Sequence, residues 1–213
     1  MRWLPGHVPE VLEALGQHLL LSVLSVAIAL VVALALGIPC ARRPRLYAAV
    51  LTLTGALFVI PSLALFALLI PLLGLGTVPA LVGLSSYCLL ILVRNVVNGL
   101  RAVPAEVLDA ADGLGYGRTR RMTEVELPLA LPYIVAGVRL AMVTAIGIAT
   151  IAAYINAGGL GTIIFAGIDQ RYPEKILVGG GLTALLTIAR RTPATMYGSA
   201  SGSSTSLIRR ARP

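Results

Sequence analysis

The sequence predicts an all-α fold, a polytopic membrane bundle of about five transmembrane helices. Two observations carry that prediction. Apolar residues make up 57% of the chain and charged residues only 12%, a balance too greasy for an ordinary soluble domain. Uncharged runs of membrane length then recur along the chain, and a span needs ~20 mostly apolar residues. The polar residues gather instead in one long internal insert and in the last two dozen residues.

Residues 1–18 are mixed, with Pro5, Gly6 and Pro9 ahead of Glu10 and Glu13, and suit a short extracytoplasmic segment lying at the interface. Residues 19–38 are uncharged and rich in Leu, Val and Ala, and form the first span, expected to stop at Pro39. With no clear cleavage site after it, this run reads as an uncleaved helix. The second run, residues 46–73, carries Pro61-Ser62 at its middle. Proline removes a backbone donor and bends a helix there, and lipid tolerates this only where a neighbour satisfies the freed carbonyl. Pro61 and Ser62 are therefore candidates for a bend along a pathway or simply for a packing kink. Gly74-Leu-Gly-Thr-Val-Pro79 is a turn. The third run, residues 80–97, ends beside Arg94 and Arg101, with Arg94 near enough to the end to snorkel as an anchor, a pathway role being the alternative. In the fourth run, residues 133–155, Gly137, Ala141, Ala145, Ala149 and Ala153 recur every fourth residue, a small-residue stripe suited to close helix packing. Gly158-Gly159-Leu160-Gly161 ends that helix, and these glycines are candidate gating positions. The fifth run, residues 176–189, spans only ~20 Å, short of the ~30 Å hydrocarbon core. The membrane-helical body thus covers residues 19–189, and residues 190–213 read as a disordered basic tail.

Net charge is +8, but the arginines flank apolar runs and form no aromatic-interleaved face, so nucleic acid is not the expected partner. The charges read as topology. With the insert placed inside, fourteen Lys and Arg residues fall on inner segments, Arg139 among them, and three (Arg2, Arg171, Lys175) on outer ones. This puts the N-terminus outside and the C-terminus in the cytoplasm. Cys40 and Cys88 make no metal spacing and read as small buried residues. His7 and His18 read as interfacial. No Walker-type phosphate loop, nucleophile–base pair, metal-ligand cluster or polar pore stripe is apparent, so no cofactor is expected, and energy for transport, if there is any, must come from elsewhere.

The insert, residues 101–128, carries the chemistry. Pro104 and Glu106 suit a helix start. Val107, Ala110, Ala111 and Leu114 share one face at helical spacing. Such a short helix is not stable alone and needs a partner for its apolar side. Gly113 and Gly115 end it. The spacing Asp109-Ala110-Ala111, three residues, Gly115, nine residues, Val125, one residue, Leu127-Pro128 resembles the coupling-loop motif of permease subunits of bacterial ABC importers. Asp replaces Glu and Val replaces Ile. Residues 60–76, Val93-Arg-Asn95 and Ala157-Gly-Gly-Leu-Gly161 are similar to the branch that takes up glycine betaine, carnitine and choline.

The resemblance implies a type I importer permease fold in the cell membrane. It also implies three partner proteins in addition to the bilayer: a second permease subunit, a cytoplasmic ATP-binding subunit and an extracytoplasmic solute-binding protein. Glu106, Asp109, Ala110, Ala111 and Gly115 would shape the helix that docks on the ATPase, with Leu127 and Pro128 setting the start of the fourth span. The chain itself would be a transport component and not an enzyme. Permeases for methionine, sulfonates or amino acids are the nearest alternatives, and a secondary transporter is a further one. The family's last helix is longer than the fifth run here, so the Ser-rich ending reads as truncated or frame-shifted.

Overall fold

The computed structural model describes residues 3–189; the expected tail at 190–213 lies outside them. Nine α-helices run in the order α1 (Val8–Arg42), α2 (Pro44–Val59), α3 (Ser62–Leu73), α4 (Thr77–Arg101), α5 (Ala105–Gly113), α6 (Arg118–Arg121), α7 (Leu127–Ala149), α8 (Leu160–Asp169) and α9 (Pro173–Ala189), counted among the described residues. A π-helical turn, Met122–Glu126, joins α6 to α7, so Arg118–Ala149 is one rod. Three helices are long and apolar enough to cross a membrane, or four if the bent α2–α3 pair is one span. The described part of α9 has 17 residues, about 25 Å. α8, which starts inside the Gly158–Gly161 stretch, is a helix that the Gly-rich sequence did not announce.

The first span differs from its expected limits. α1 continues unbroken through the mixed N-terminal residues and through Pro39, a rod of ~50 Å. Glu10 and Glu13 therefore stand on the same helix that crosses the membrane, not on a separate interfacial one. Pro39 lies one turn from the helix end and forfeits one bond, to the Ala35 carbonyl, without ending the helix. His18, expected at an interface, is buried in the bundle with Nε2 3.1 Å from the Ile146 carbonyl.

α1, α4 and α7 form the centre of the bundle. Val26, Ala29 and Ala33 of α1 pack with Cys88, Leu92 and Val93 of α4 and Ala141 and Ala145 of α7. Gly137, Ala141, Ala145 and Ala149 of the predicted stripe are buried. A Cβ at Gly137 would stand 2.6 Å from Asn95 Cβ, so only glycine lets α4 approach there. Ala153 falls in a 3₁₀ segment, Ile151–Ile155, and is only half-buried because the helical period has changed. Cys40 and Cys88 are both buried free thiols, as small apolar residues would be.

Candidate functional site

Two ends of the bundle carry the candidate residues. At one, α5 projects beside the termini of α1 and α4. Pro104 is the N-cap and Glu106 lies in the first turn. At the C-terminus the Tyr116 N–H donates to the Ala111 carbonyl and the Gly115 N–H to the Asp112 carbonyl. Gly115 has φ of 78°. Together these form a Schellman cap, whose left-handed position suits glycine. Of the four residues predicted to share a face, Ala111 alone is buried within the chain; Val107 is 37% and Leu114 77% exposed, and Ala110 is exposed. Glu106 and Asp109 are exposed, and their side chains make no hydrogen bond or ion pair among the described residues.

A chain of charges ties this helix to the membrane rods. Arg121 bonds Asp112 of α5 and, at 3.0 Å, Glu126 of the π turn. Glu126 also holds Arg42 at the end of α1, at 2.7 Å. Glu126 is 5% exposed, a depth at which a carboxylate persists only when paired. The Leu127-Pro128 motif gives a local reason for this geometry. Pro128 lacks an N–H and its ring crowds the carbonyl four residues back, which an α-helical turn cannot accommodate without strain. The π turn sits immediately before it. Its extra residue rotates what precedes it by about 100° relative to α7. Arg101 of α4 completes the junction. Its guanidinium donates to the Ala41 and Cys40 carbonyls at 3.1 and 3.3 Å and lies 4.7 Å from the Tyr47 ring centroid; it thereby caps the end of α1, where the Cys40 carbonyl also accepts from the Arg43 N–H.

Glu126 and Arg42 were absent from the candidate residues. Glu126 occupies the variable place in the spacing, so sequence gave no reason to single it out, although a carboxylate just before a membrane run was a usable signal.

Pro61 and Ser62 mark a sharper feature than a kink. α2 and α3 meet at 98°, and the Ile60 carbonyl accepts a hydrogen bond from the Tyr87 hydroxyl of α4. Tyr87 is buried, with Phe58 edge-on at 5.8 Å between centroids. The carbonyl that the missing Pro61 N–H frees is that of Leu57, which accepts from the Ile60 N–H at 3.3 Å; Tyr87, a residue that sequence reasoning missed, satisfies the Ile60 carbonyl that the break exposes.

At the other end, Gly158 and Gly159 have φ of 80° and 84° and turn the chain after the 3₁₀ segment. The Gly159 N–H donates to Gln17 Oε1 at 3.1 Å. A Cβ on Gly161 would stand 2.0 Å from the Thr150 carbonyl oxygen. Backbone conformation and close packing thus account for all three glycines. They lie far from α5, so the candidate residues form two groups and not one site.

The comparisons with known proteins agree with this arrangement. A family model described as binding-protein-dependent transport system inner membrane component matches residues 19–190. The chain is 37% identical over 188 residues to the glycine betaine/carnitine/choline transport system permease protein OpuCB of Bacillus subtilis, covering 88% of this chain and 87% of that one. It is 38% identical over 183 residues to the carnitine transport permease protein OpuCB of Listeria monocytogenes, covering 86% and 83%. Identity to the osmoprotectant import permease protein OsmW of Salmonella typhimurium is 38% over 177 residues, covering 81% and 82%. Among solved structures, an inward-facing MetNI methionine ABC transporter superposes with a TM-score of 0.71 at 23% identity, over 84% of this chain and 92% of that one, a likeness of fold. With the family model spanning most of the chain and the bundle shared with an importer of known structure, the protein belongs to the inner-membrane components of binding-protein-dependent transport systems.

Proposed function

We propose that this chain is the membrane-spanning permease of an ATP-driven importer for a compatible solute such as glycine betaine, carnitine or choline. The relatives named for those solutes support the substrate class. A second permease subunit completes the pathway, an ATP-binding subunit docks on α5, and a solute-binding protein delivers cargo at the opposite face. The Lys and Arg bias supports α5 on the cytoplasmic side and the N-terminus outside. Arg139 adds nothing to that bias, because it lies inside α7, twelve residues beyond Leu127.

One observation carries the coupling role. α5 offers Val107, Ala110 and Leu114 to water while its rear is held to α1 and α7 through Asp112, Arg121, Glu126 and Arg42. An apolar face on a short helix fits a groove in a partner, and a rigid rear lets a push on α5 reach the spans. Glu106 and Asp109 stand free to meet basic groups of that partner. The break at Pro61 and Ser62, held by Tyr87, is where α2 and α3 would pivot.

The test is co-purification with the ATP-binding subunit and solute uptake into proteoliposomes. Ala110→Arg and Leu114→Asp are expected to lower both together while the permease still folds. Normal uptake by either variant would refute docking through this face.

A further inference from the structure

We propose that the turn between α8 and α9 is a docking knob for the extracytoplasmic solute-binding protein, with Arg171 meeting a carboxylate of that partner. This role rests on the permease reading above, with the N-terminus outside, and deepens it.

The turn stands clear of the hydrocarbon on that side. In α1, residues 8–18 precede the uncharged run at 19–38 and project about 16 Å beyond it. α8 lies along this projection, where Leu160 and Ile163 pack with Trp3, Val11 and Ala14. Gly167 lets α9 fold back closely, since a Cβ there would stand 2.8 Å from Ile176 Cγ1. The turn is also braced. The Trp3 N–H and the Tyr172 hydroxyl both donate to Glu174 Oε2 at 3.1 Å. Lys175 Nζ donates to Gln170 Oε1 at 2.8 Å and lies 5.1 Å from the Trp3 ring centroid.

The tip holds one residue that its backbone does not call for. α8 ends in the same Schellman cap as α5: the Tyr172 N–H donates to the Gly167 carbonyl at 2.8 Å and the Arg171 N–H to the Ile168 carbonyl at 3.1 Å. α5 fills the left-handed position with Gly115, but α8 fills it with Arg171, at φ of 51°. A side chain there strains the backbone where glycine does not, and residues held in such strain cluster at functional sites. Arg171 and Asp169 are exposed, and their side chains make no hydrogen bond or ion pair among the described residues. Beside them Ile168 is 51% and Tyr172 39% exposed. An arginine and a tyrosine next to an aliphatic side chain make a surface suited to a protein partner. Free charges of both signs fix that partner's orientation. A lone carboxylate at Asp169 keeps the tip out of lipid tails. The matching family is described by its dependence on a binding protein, and such a protein is the soluble partner at the outer face.

The experiment measures ATP hydrolysis by the complete importer in detergent against the concentration of binding protein loaded with glycine betaine, and repeats it in proteoliposomes. Arg171→Glu is expected to raise the concentration for half-maximal stimulation about tenfold, the loss of one charged contact. Arg171→Gly is expected to raise it as well, with no fall in the melting temperature of the purified importer, because the strain leaves with the side chain. Added salt should weaken stimulation of the wild type more than that of Arg171→Gly. An unchanged half-maximal concentration in Arg171→Glu overturns the docking role. So does a lower melting temperature in Arg171→Gly, which would mean that the arginine serves the fold. A shift seen in proteoliposomes but not in detergent assigns Arg171 to lipid phosphates and overturns it too. These three results leave the permease reading standing. A wild-type importer whose hydrolysis ignores the loaded binding protein overturns that reading, and the docking site with it.

Discussion

Replacing Glu126 by Gln keeps the side-chain volume and one acceptor oxygen but removes the charge shared by Arg42 and Arg121. Stranding a buried charge costs about 3–5 kcal/mol. Neither partner is fully stranded here. The Arg42 side chain is 43% exposed and regains water, and Arg121 keeps Asp112. The expected loss is therefore that of a charged hydrogen bond screened on one side, about 1–2 kcal/mol. For a chain of this size each kcal/mol lowers the melting temperature by roughly 2–4 °C, so the purified permease should melt about 2–8 °C lower. The double-mutant cycle with Arg42→Gln isolates the pair, and its coupling energy should reach about 1 kcal/mol. In the assembled importer Glu126→Gln should also lower the solute moved per ATP hydrolysed, because α5 loses its link to α1. Additive single mutants, or a coupling energy below ~0.3 kcal/mol, would refute the ionic connection between the loop and the first span.

Two other substitutions test the backbone arguments. Tyr87→Phe deletes the donor to the half-buried Ile60 carbonyl, a loss of about 1 kcal/mol; detergent melting should record it, and unchanged stability would refute the role of Tyr87 in holding the break. Gly115→Val forces a β-branched residue into the left-handed cap position and should weaken α5 by about 1–2 kcal/mol, read as faster amide hydrogen exchange across Ala105–Gly113 with the exchange of α4 unaltered.

The helical membrane class, the small-residue face of α7, the glycine that ends α5 and the spacing that identifies the loop were all legible in the order of residues. Each of these is a local signal: apolar length, four-residue periodicity or a backbone conformation that one residue type suits. Local signals also misled. The charged residues before residue 19 suggested a separate segment and Pro39 a stop, yet α1 runs through both, because packing outweighs weak propensity. Which polar groups meet depends on helix packing and could not be read from the chain. Arg42 and Glu126 are 84 residues apart in sequence, and Tyr87 and Ile60 are 27 apart. Pairing across such separations depends on how α1, α4 and α7 pack, and no periodicity in one segment encodes it. The 98° turn at Pro61 has the same origin: proline permits the bend, but the helix that supplies Tyr87 holds its angle.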